Sequence, residues 1–273
     1  MPELPEAETV RRALEGALCG KKITQVEIFS PAMRTPLAPL CAAGLEGLTF
    51  TGIRRRGRYL LADLSDGRAL LMHLGMSGVV RVESSAVPRR KHEHVFIHLD
   101  DGNIFRFECT RRFSILEVHT LNERKLPEQL EKLGAEPLSE EFSGKTFFAA
   151  CSKRNSPVKN LLMDNSIVTG IGNIYAAETL FAAGVSPCRS GKELSLRECE
   201  RIVRFAKEIL TAAIEAGGTT ISDFRHVDGS EGEFVRNLQI YGKENQPCPR
   251  CGKIIQSVRI GGRASCFCPG CQK

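Results

Sequence analysis

The chain has 273 residues, 42% of them hydrophobic and 26% charged, which suits one large or two medium globular domains, and no apolar run reaches the length of a membrane span. Acids occupy the N-terminal stretch where a secretory signal carries bases, and 11 cysteines in a chain this long do not make an oxidised scaffold, so a reducing cytoplasm or nucleoid is expected. The net charge of +6 is concentrated: residues 234–273 hold seven bases and one acid while the other 233 residues hold 31 of each, and a basic terminal module on a neutral body points to a polyanion partner.

The chain opens on Pro2-Glu3-Leu4-Pro5-Glu6. With Met1 removed, the Pro2 nitrogen is a secondary amine of pKa roughly 8. Its neutral fraction can attack an electrophilic carbon and form an imine-type intermediate. Taken alone, the run is better read as a proline in the first turn of a helix. Val10, Leu14 and Leu18 recur four apart and predict a helix from Glu6 to Leu18, stopped at Gly20. Between Ile23 and His119 seven short β-rich runs succeed one another: 49–53, 59–64, 69–73, 79–82, 94–99, 104–108 and 114–118. Gly, Asp and Ser punctuate them, which predicts a sandwich or a barrel. Bases cluster within this neutral body at Arg54-Arg55-Arg56 with Arg58, at Arg89-Arg90-Lys91-His92, at Arg111-Arg112 and at Lys153-Arg154. Each alone is a solvated face; together they fit a groove that tracks a nucleic-acid backbone.

Residues 121–143 read as a polar connector. Helical patterns come next at 158–163 and 174–183, separated by Thr169-Gly170-Ile171-Gly172-Asn173. Such a turn presents backbone N–H groups to a phosphate, or simply packs two helices; the pattern supports both equally. Ser195-Leu196-Arg197-Glu198 is a capping box opening a helix to about Ala216, and Gly217-Gly218 stops it.

The C-terminal module carries the strongest local signal. Cys248-x-x-Cys251 and Cys268-x-x-Cys271 are separated by sixteen residues, the spacing of a four-thiolate zinc site. The stretch between them alternates polar and apolar and breaks at Gly261-Gly262, which predicts a β-hairpin. Four thiolates leave no open position, so one structural zinc ion is expected. Arg259 and Arg263 flank the hairpin turn, within reach of a phosphate or base edge, or merely solvated.

Five motifs in order carry a resemblance: Pro2-Glu3-Leu4-Pro5-Glu6, His73-Leu-Gly-Met76-Ser-Gly78, Lys91-His92-Glu-His94, Arg111-Arg112-Phe113, and Gly170-Ile-Gly-Asn173-Ile-Tyr175-Ala-Ala-Glu178. With the zinc module they make the chain resemble, from end to end, the formamidopyrimidine-DNA glycosylase / endonuclease VIII family. The resemblance implies an α+β multidomain fold. Its parts are an N-terminal β-sandwich with a leading helix (1–125), a helix–two-turn–helix domain with a lesion-covering loop (126–233) and a zinc finger (234–273), with DNA in the cleft. It implies a monomeric glycosylase and abasic-site lyase acting on double-stranded DNA, with the damaged base flipped out of the stack.

Carried over by position, Pro2 is the nucleophile at the sugar C1′ and Glu3 the acid/base, with Arg58 and Arg263 in the same catalytic group. Met76, Arg111 and Phe113 match the side chains that fill the gap left by the flipped base. An apolar wedge offsets lost stacking, and an arginine can bond the orphaned partner. His92, Lys153 or Arg154, Asn173 and Arg263 match phosphate ligands, and Tyr175 lies in the same DNA-binding motif. Glu6 and Glu178 match acidic pocket positions, with Thr219 and Thr220 in the loop over the pocket. Leu4, and the run from Gly217 through Asp223-Phe224 to Gly229 and Phe234, favour the branch that excises oxidised purines.

Two departures stand out. Arg58 occupies the place of a family lysine credited with proton transfer; arginine keeps the charge but does not readily deprotonate. Cys109-Thr110 replaces the usual Asp-Pro before the double arginine, which puts the seating of the Arg111 loop in question. Ser265 for threonine is mild. The competing readings are a damage-recognising DNA-binding protein with impaired catalysis, an endonuclease VIII-like pyrimidine glycosylase, and a zinc-dependent transcription factor, which has no use for a free N-terminal proline.

Overall fold

The computed structural model describes residues 1–30, 32–120, 127–219 and 232–273. Its contacts divide the chain into two units, Met1–Glu131 with Ala216–Glu233, and Lys132–Glu215 with Phe234–Lys273.

In the first unit, helix α1 (Leu4–Leu18) begins earlier than the apolar spacing predicts. Pro5 lies in the first turn, and Glu3 and Glu6 close a reciprocal capping box, so both acids act as local helix-start signals. Leu4, Val10, Leu14 and Leu18 are buried on one face. After β1 (Ile23–Ile28) and the short α2 (Ala38–Ala42) come β2 (Phe50–Arg56), β3 (Tyr59–Leu64), β4 (Arg68–His73), β5 (Gly78–Ser84), β6 (Glu93–Leu99), β7 (Asn103–Cys109) and β8 (Ile115–Thr120). They form two antiparallel four-stranded sheets, ordered β1-β6-β7-β5 and β2-β3-β4-β8. All seven predicted runs are strands. The eighth, β1, was missed because Thr24, Gln25 and Glu27 break its apolar signal; it is an edge strand with one fully buried residue, Ile23. Leu60, Leu70, Met72 and Leu116 of one sheet share a core with Val80, Val95, Ile97, Phe105 and Phe107 of the other. Of the sandwich or barrel that the alternation predicts, the fold is the sandwich. A short helix, α3 (Glu128–Glu131), falls in the predicted connector, whose residues 121–126 are outside the described ones.

The second unit is built on α4 (Gly144–Cys151), α5 (Val158–Leu162), α6 (Asn173–Ala183) and α7 (Leu196–Glu215). Ser195 and Glu198 cap α7 reciprocally, with Glu198 N donating to Ser195 Oγ at 3.3 Å and Ser195 N donating to Glu198 Oε2 at 2.9 Å. Helix α6 ends at Gly184 in the left-handed region, φ 67°. The hairpin β9 (Gln256–Ile260) and β10 (Arg263–Phe267) pairs Ile260 with Arg263 across the Gly261-Gly262 turn. Too small to bury a core alone, it contributes Ile255 and Cys266 to an apolar cluster with Ala177 and Phe181 of α6. Residues 234–273 therefore group with the helices, whereas 216–233 group with the sandwich, so the contacts cut across the three sequence-based divisions.

Candidate active site and nucleic-acid surface

At the front of α1, Pro2 is half-buried and Glu3 and Glu6 are buried. Glu6 Oε2 accepts from Glu3 N at 2.8 Å, and Glu6 Oε1 accepts from Thr219 N, also at 2.8 Å. One carboxylate thus ties the start of the chain to the base of the segment after α7. Thr219, itself buried, bridges to Glu233 across that base. Thr220, Asp223, Phe224 and Gly229 lie outside the described residues.

Arg58 comes directly after Gly57, the turn glycine between β2 and β3, φ 57°. Arg55 braces this turn, donating to Gly57 O at 3.0 Å while its Nε sits 3.0 Å from Glu8 Oε2 on α1. The brace holds the turn against the helix that carries Pro2. Arg58 Nη1 reaches Met1 Sδ at 3.8 Å, which puts its guanidinium beside the N-terminal residues. His73, at the end of β4, stacks obliquely on Tyr59 with centroids 4.7 Å apart, and its Nδ1 accepts from Gly75 N at 3.1 Å. Burial, then the nearby Arg58 and Arg34 charges, push His73 down to about 4, so it is neutral and holds the adjoining turn.

Met76 tops that turn, 42% exposed, and Phe113 is 49% exposed on the turn after β7, with the Arg111 guanidinium 5.3 Å from its ring. Two large apolar side chains held out to solvent beside an arginine are a costly arrangement for a monomer surface, and a fitting one for entry into a base stack. His92 is half-buried on the loop between β5 and β6, next to buried Glu93, which accepts from Arg90 N at 2.6 Å. Burial pushes His94 below its ordinary range; with Nε2 2.9 Å from Cys109 O, the ring donates through that nitrogen.

In the second unit the Gly170–Asn173 turn leads into α6. Asn173 Nδ2 donates to Ala264 O at 3.2 Å, so the asparagine abuts the β10 strand next to exposed Arg263. Buried Lys159 completes the junction: its Nζ donates to Asn173 Oδ1 at 2.6 Å and to Ser265 Oγ at 2.5 Å. Sequence reasoning passed over Lys159, whose one available signal was a cation on the apolar face of a predicted helix. Lys153 and Arg154 are exposed after α4, and Arg154 Nη1 pairs with Asp164 at 3.2 Å.

Two expected site residues turn inward. The Tyr175 ring is fully buried, 6.0 Å from Phe234, so it supports the turn from inside and presents no side chain to DNA. Glu178, expected in the acidic pocket, is a backbone clamp: its carboxylate accepts from Gln239 N at 2.9 Å, Ile240 N at 3.0 Å and Tyr241 N at 2.8 Å. Three aligned donors explain why this acid is buried.

The Sγ atoms of Cys248, Cys251, Cys268 and Cys271 lie within 4.8 Å of one another. Cys248 and Cys271 are 3.8 Å apart, close to the ~3.8 Å that a tetrahedron with Zn–S of about 2.3 Å requires. Arg250 N points at Cys248 Sγ from 3.4 Å, the backbone support a thiolate ligand needs. The four cysteines hold one zinc ion, which stabilises the hairpin that carries Arg263.

A chain start lined by buried acids on one unit and a zinc-stapled basic hairpin on the other are the parts of an enzyme acting on nucleic acid. Residues 1–116 match the formamidopyrimidine-DNA glycosylase N-terminal domain, 133–225 the formamidopyrimidine-DNA glycosylase H2TH domain, and 245–273 the zinc finger found in FPG and IleRS. A formamidopyrimidine-DNA glycosylase of Stenotrophomonas maltophilia is 44% identical over 279 residues, covering 100% of both chains. One of Hahella chejuensis is 42% identical over 273 residues with the same coverage. A Lactococcus lactis FPG mutant, solved with Fapy-dG-containing DNA, aligns with a TM-score of 0.92 at 36% identity over 100% of each chain. Thermus thermophilus MutM (FPG) aligns at 0.87 and 37% identity, over 99% of this chain and 98% of that one. The chain belongs to the formamidopyrimidine-DNA glycosylase family.

Proposed function

We propose that this protein is a base-excision-repair glycosylase that removes oxidised purines, 8-oxoguanine and formamidopyrimidines, from double-stranded DNA and then cuts the abasic strand. The observation that carries the reading is the chain start, where Pro2 stands ahead of the buried Glu3–Glu6 pair with the Arg58 guanidinium alongside. The Lactococcus lactis relatives, solved with Fapy-dG-containing and with abasic-site DNA, support the substrate class. The protein works as a monomer in the nucleoid; among the described residues no helix is long and apolar enough to cross a membrane.

With Met1 gone, the neutral Pro2 amine attacks C1′. The C1′–N bond to the base breaks, and the base leaves with its electron pair and takes a proton. The Pro2 nitrogen gives up its N–H proton, and Glu3 moves the proton that opens the sugar ring, leaving a cationic iminium (a Schiff base) between Pro2 and C1′. Loss of a C2′ proton then expels the 3′ phosphate, and a second elimination expels the 5′ phosphate. Met76 and Phe113 take the place of the flipped base, and Arg111 faces its former partner. His92, Asn173, Lys153 or Arg154, and Arg263 hold phosphates.

Arg58 favours a second reading of the later steps. It anchors phosphate as lysine does, but it is a poor proton carrier, so elimination lags behind Schiff-base formation. Wild type and Arg58→Lys are compared on an abasic-site duplex, with and without borohydride. Efficient trapping with slow nicking, and faster nicking by Arg58→Lys, supports this. Equal nicking rates overturn the Arg58 assignment, and absence of borohydride trapping overturns the glycosylase reading.

A further inference from the structure

Three loops to which the proposed function assigns DNA contacts meet at one buried thiol, Cys109. It ends β7 opposite Gly78 of β5 and is 0% exposed. Its backbone holds the His92 loop from both sides, N donating to His92 O at 2.9 Å and O accepting from His94 Nε2 at 2.9 Å. Its Sγ lies 2.9 Å from Ser114 Oγ and 4.0 Å from Ser77 Oγ. These two hydroxyls hold the other two loops. Ser114 Oγ donates to Leu74 O at 2.7 Å, at the base of the Met76 turn, and Ser77 Oγ accepts from Arg111 N at 3.0 Å.

Ser114 Oγ has one proton and faces two acceptors with it, Leu74 O and the weaker acceptor Cys109 Sγ. The sulfur is therefore a weak acceptor wedged between two serines, each bonded to a different loop. There is little slack around it. A Cβ on Gly78 would stand 2.3 Å from Leu74 O and 2.5 Å from Ser114 Oγ, and one on Gly75 (φ 61°) would stand 2.7 Å from Phe113 O. The Met76 turn and the Arg111–Phe113 turn are in backbone contact, so moving one moves the other.

Resting on the glycosylase reading of this site, we propose that Cys109 is a positioning residue for base flipping. Through Ser77 and Ser114 its thiol sets the height of Met76 relative to the Arg111–Phe113 tip, and so tunes wedge insertion and the reading of the opposite base without touching DNA. A carboxylate at this place would accept strongly; a thiol sulfur accepts only weakly from Ser114, which makes a looser and differently seated tip.

The test uses the full-length zinc-loaded protein with Cys109→Ala, Cys109→Ser and Ser77→Ala. Single-turnover excision of 8-oxoguanine opposite dC and opposite dA is measured beside the rise in 2-aminopurine fluorescence on wedge insertion. Borohydride trapping on a single-stranded abasic site, which needs no wedge, is the reference. Cys109→Ala and Ser77→Ala are expected to slow duplex excision and insertion about fivefold or more, what one neutral hydrogen bond contributes, and to change the dC/dA ratio. Single-strand trapping stays within about twofold, and Cys109→Ser recovers most of the loss. Equal losses on duplex and single strand, no loss at all, or no rescue by serine would each overturn the proposal. Should Cys109→Ala not fold, Ser77→Ala and Cys109→Ser decide by the same ratio. A Met76→Ala variant that excises at the wild-type rate sinks the wedge reading itself, a separate failure.

Discussion

Glu6→Gln is the sharpest test of how the chain start is held. The Glu6 side chain is 2% exposed, and its two oxygens each accept one backbone N–H at 2.8 Å, from Glu3 and from Thr219. Glutamine has nearly the same shape but offers a single oxygen, and its NH2 group then faces a second donor. One charge-assisted hydrogen bond is lost, worth about 1.5–3 kcal/mol, and one buried N–H is left unsatisfied. A net cost of about 2 kcal/mol lowers the melting temperature of a chain this size by roughly 4–8 °C. Either orientation of the amide loosens one of the two things Glu6 joins, the Pro2–Glu3 segment or the Thr219 base. If Glu3 is released, kcat falls on single-stranded abasic DNA as well as on duplex; if Thr219 is released, KM for lesion-bearing duplex rises. Thermal denaturation, read beside single-turnover kinetics on both substrates, distinguishes the outcomes. A variant melting within about 1 °C of wild type would show that these bonds contribute nothing net, and would refute the role of Glu6 as a clamp.

Removing zinc releases four thiolates gathered around one point, so chelation should unfold residues 248–271 and abolish duplex binding while the sandwich keeps its amide protection; hydrogen exchange of the metal-free protein checks this. His73 gives a pH dependence of fixed sign. Its folded pKa of about 4 lies below the ordinary 6.5, so the unfolded chain takes up the proton first as pH falls. The His73 contribution to stability is constant above 6.5 and drops by roughly 3 kcal/mol between 6.5 and 4, with His94 acting in the same direction. A His73→Asn variant whose denaturation midpoint falls as steeply as wild type over that window would contradict the assignment. Glu178→Ala strands the three N–H groups at 239–241 and should cost at least about 3 kcal/mol. Urea denaturation measures that cost, and exchange rates at those amides show where it falls.

The strands of the sandwich and the hairpin were legible because period-two alternation and turn glycines are local signals, and four cysteines at fixed spacing are nearly as local; the choice of sandwich over barrel was not. Edge strand β1 was not, because an edge strand in contact on one side has no need of an apolar run. Met76 and Phe113 were singled out only through motif resemblance. Nothing in the spacing of Met76 and Phe113 says that they stand 42% and 49% exposed, when apolar residues beside strands are ordinarily core. Glu178 and Tyr175 show the converse, since the structure turns both inward. Lying in a motif says that a residue matters, but not which way it points, and α6 is buried on almost every side.

Ser265 shows most clearly what a sequence withholds. As a replacement for threonine it is mild, and its place on β10 gives the sequence no further sign of a role. In the fold it is buried and receives the Lys159 ammonium, which also bonds Asn173 at the start of α6. Three segments separated by up to 106 positions meet at that nitrogen. Lysine is rarely fully buried unless its donors are met. Here Asn173, Ala264 and Ser265 accept from it at 2.6, 3.3 and 2.5 Å, so the cation fastens the zinc hairpin to the helices instead of facing solvent. What fixes the neighbourhood of Arg263 is thus a hydroxyl and a lysine that no spacing rule connects. A lysine contributes charge to the composition whether it meets DNA or holds the element that does, so the basic excess of the terminal module cannot by itself separate ligand from scaffold.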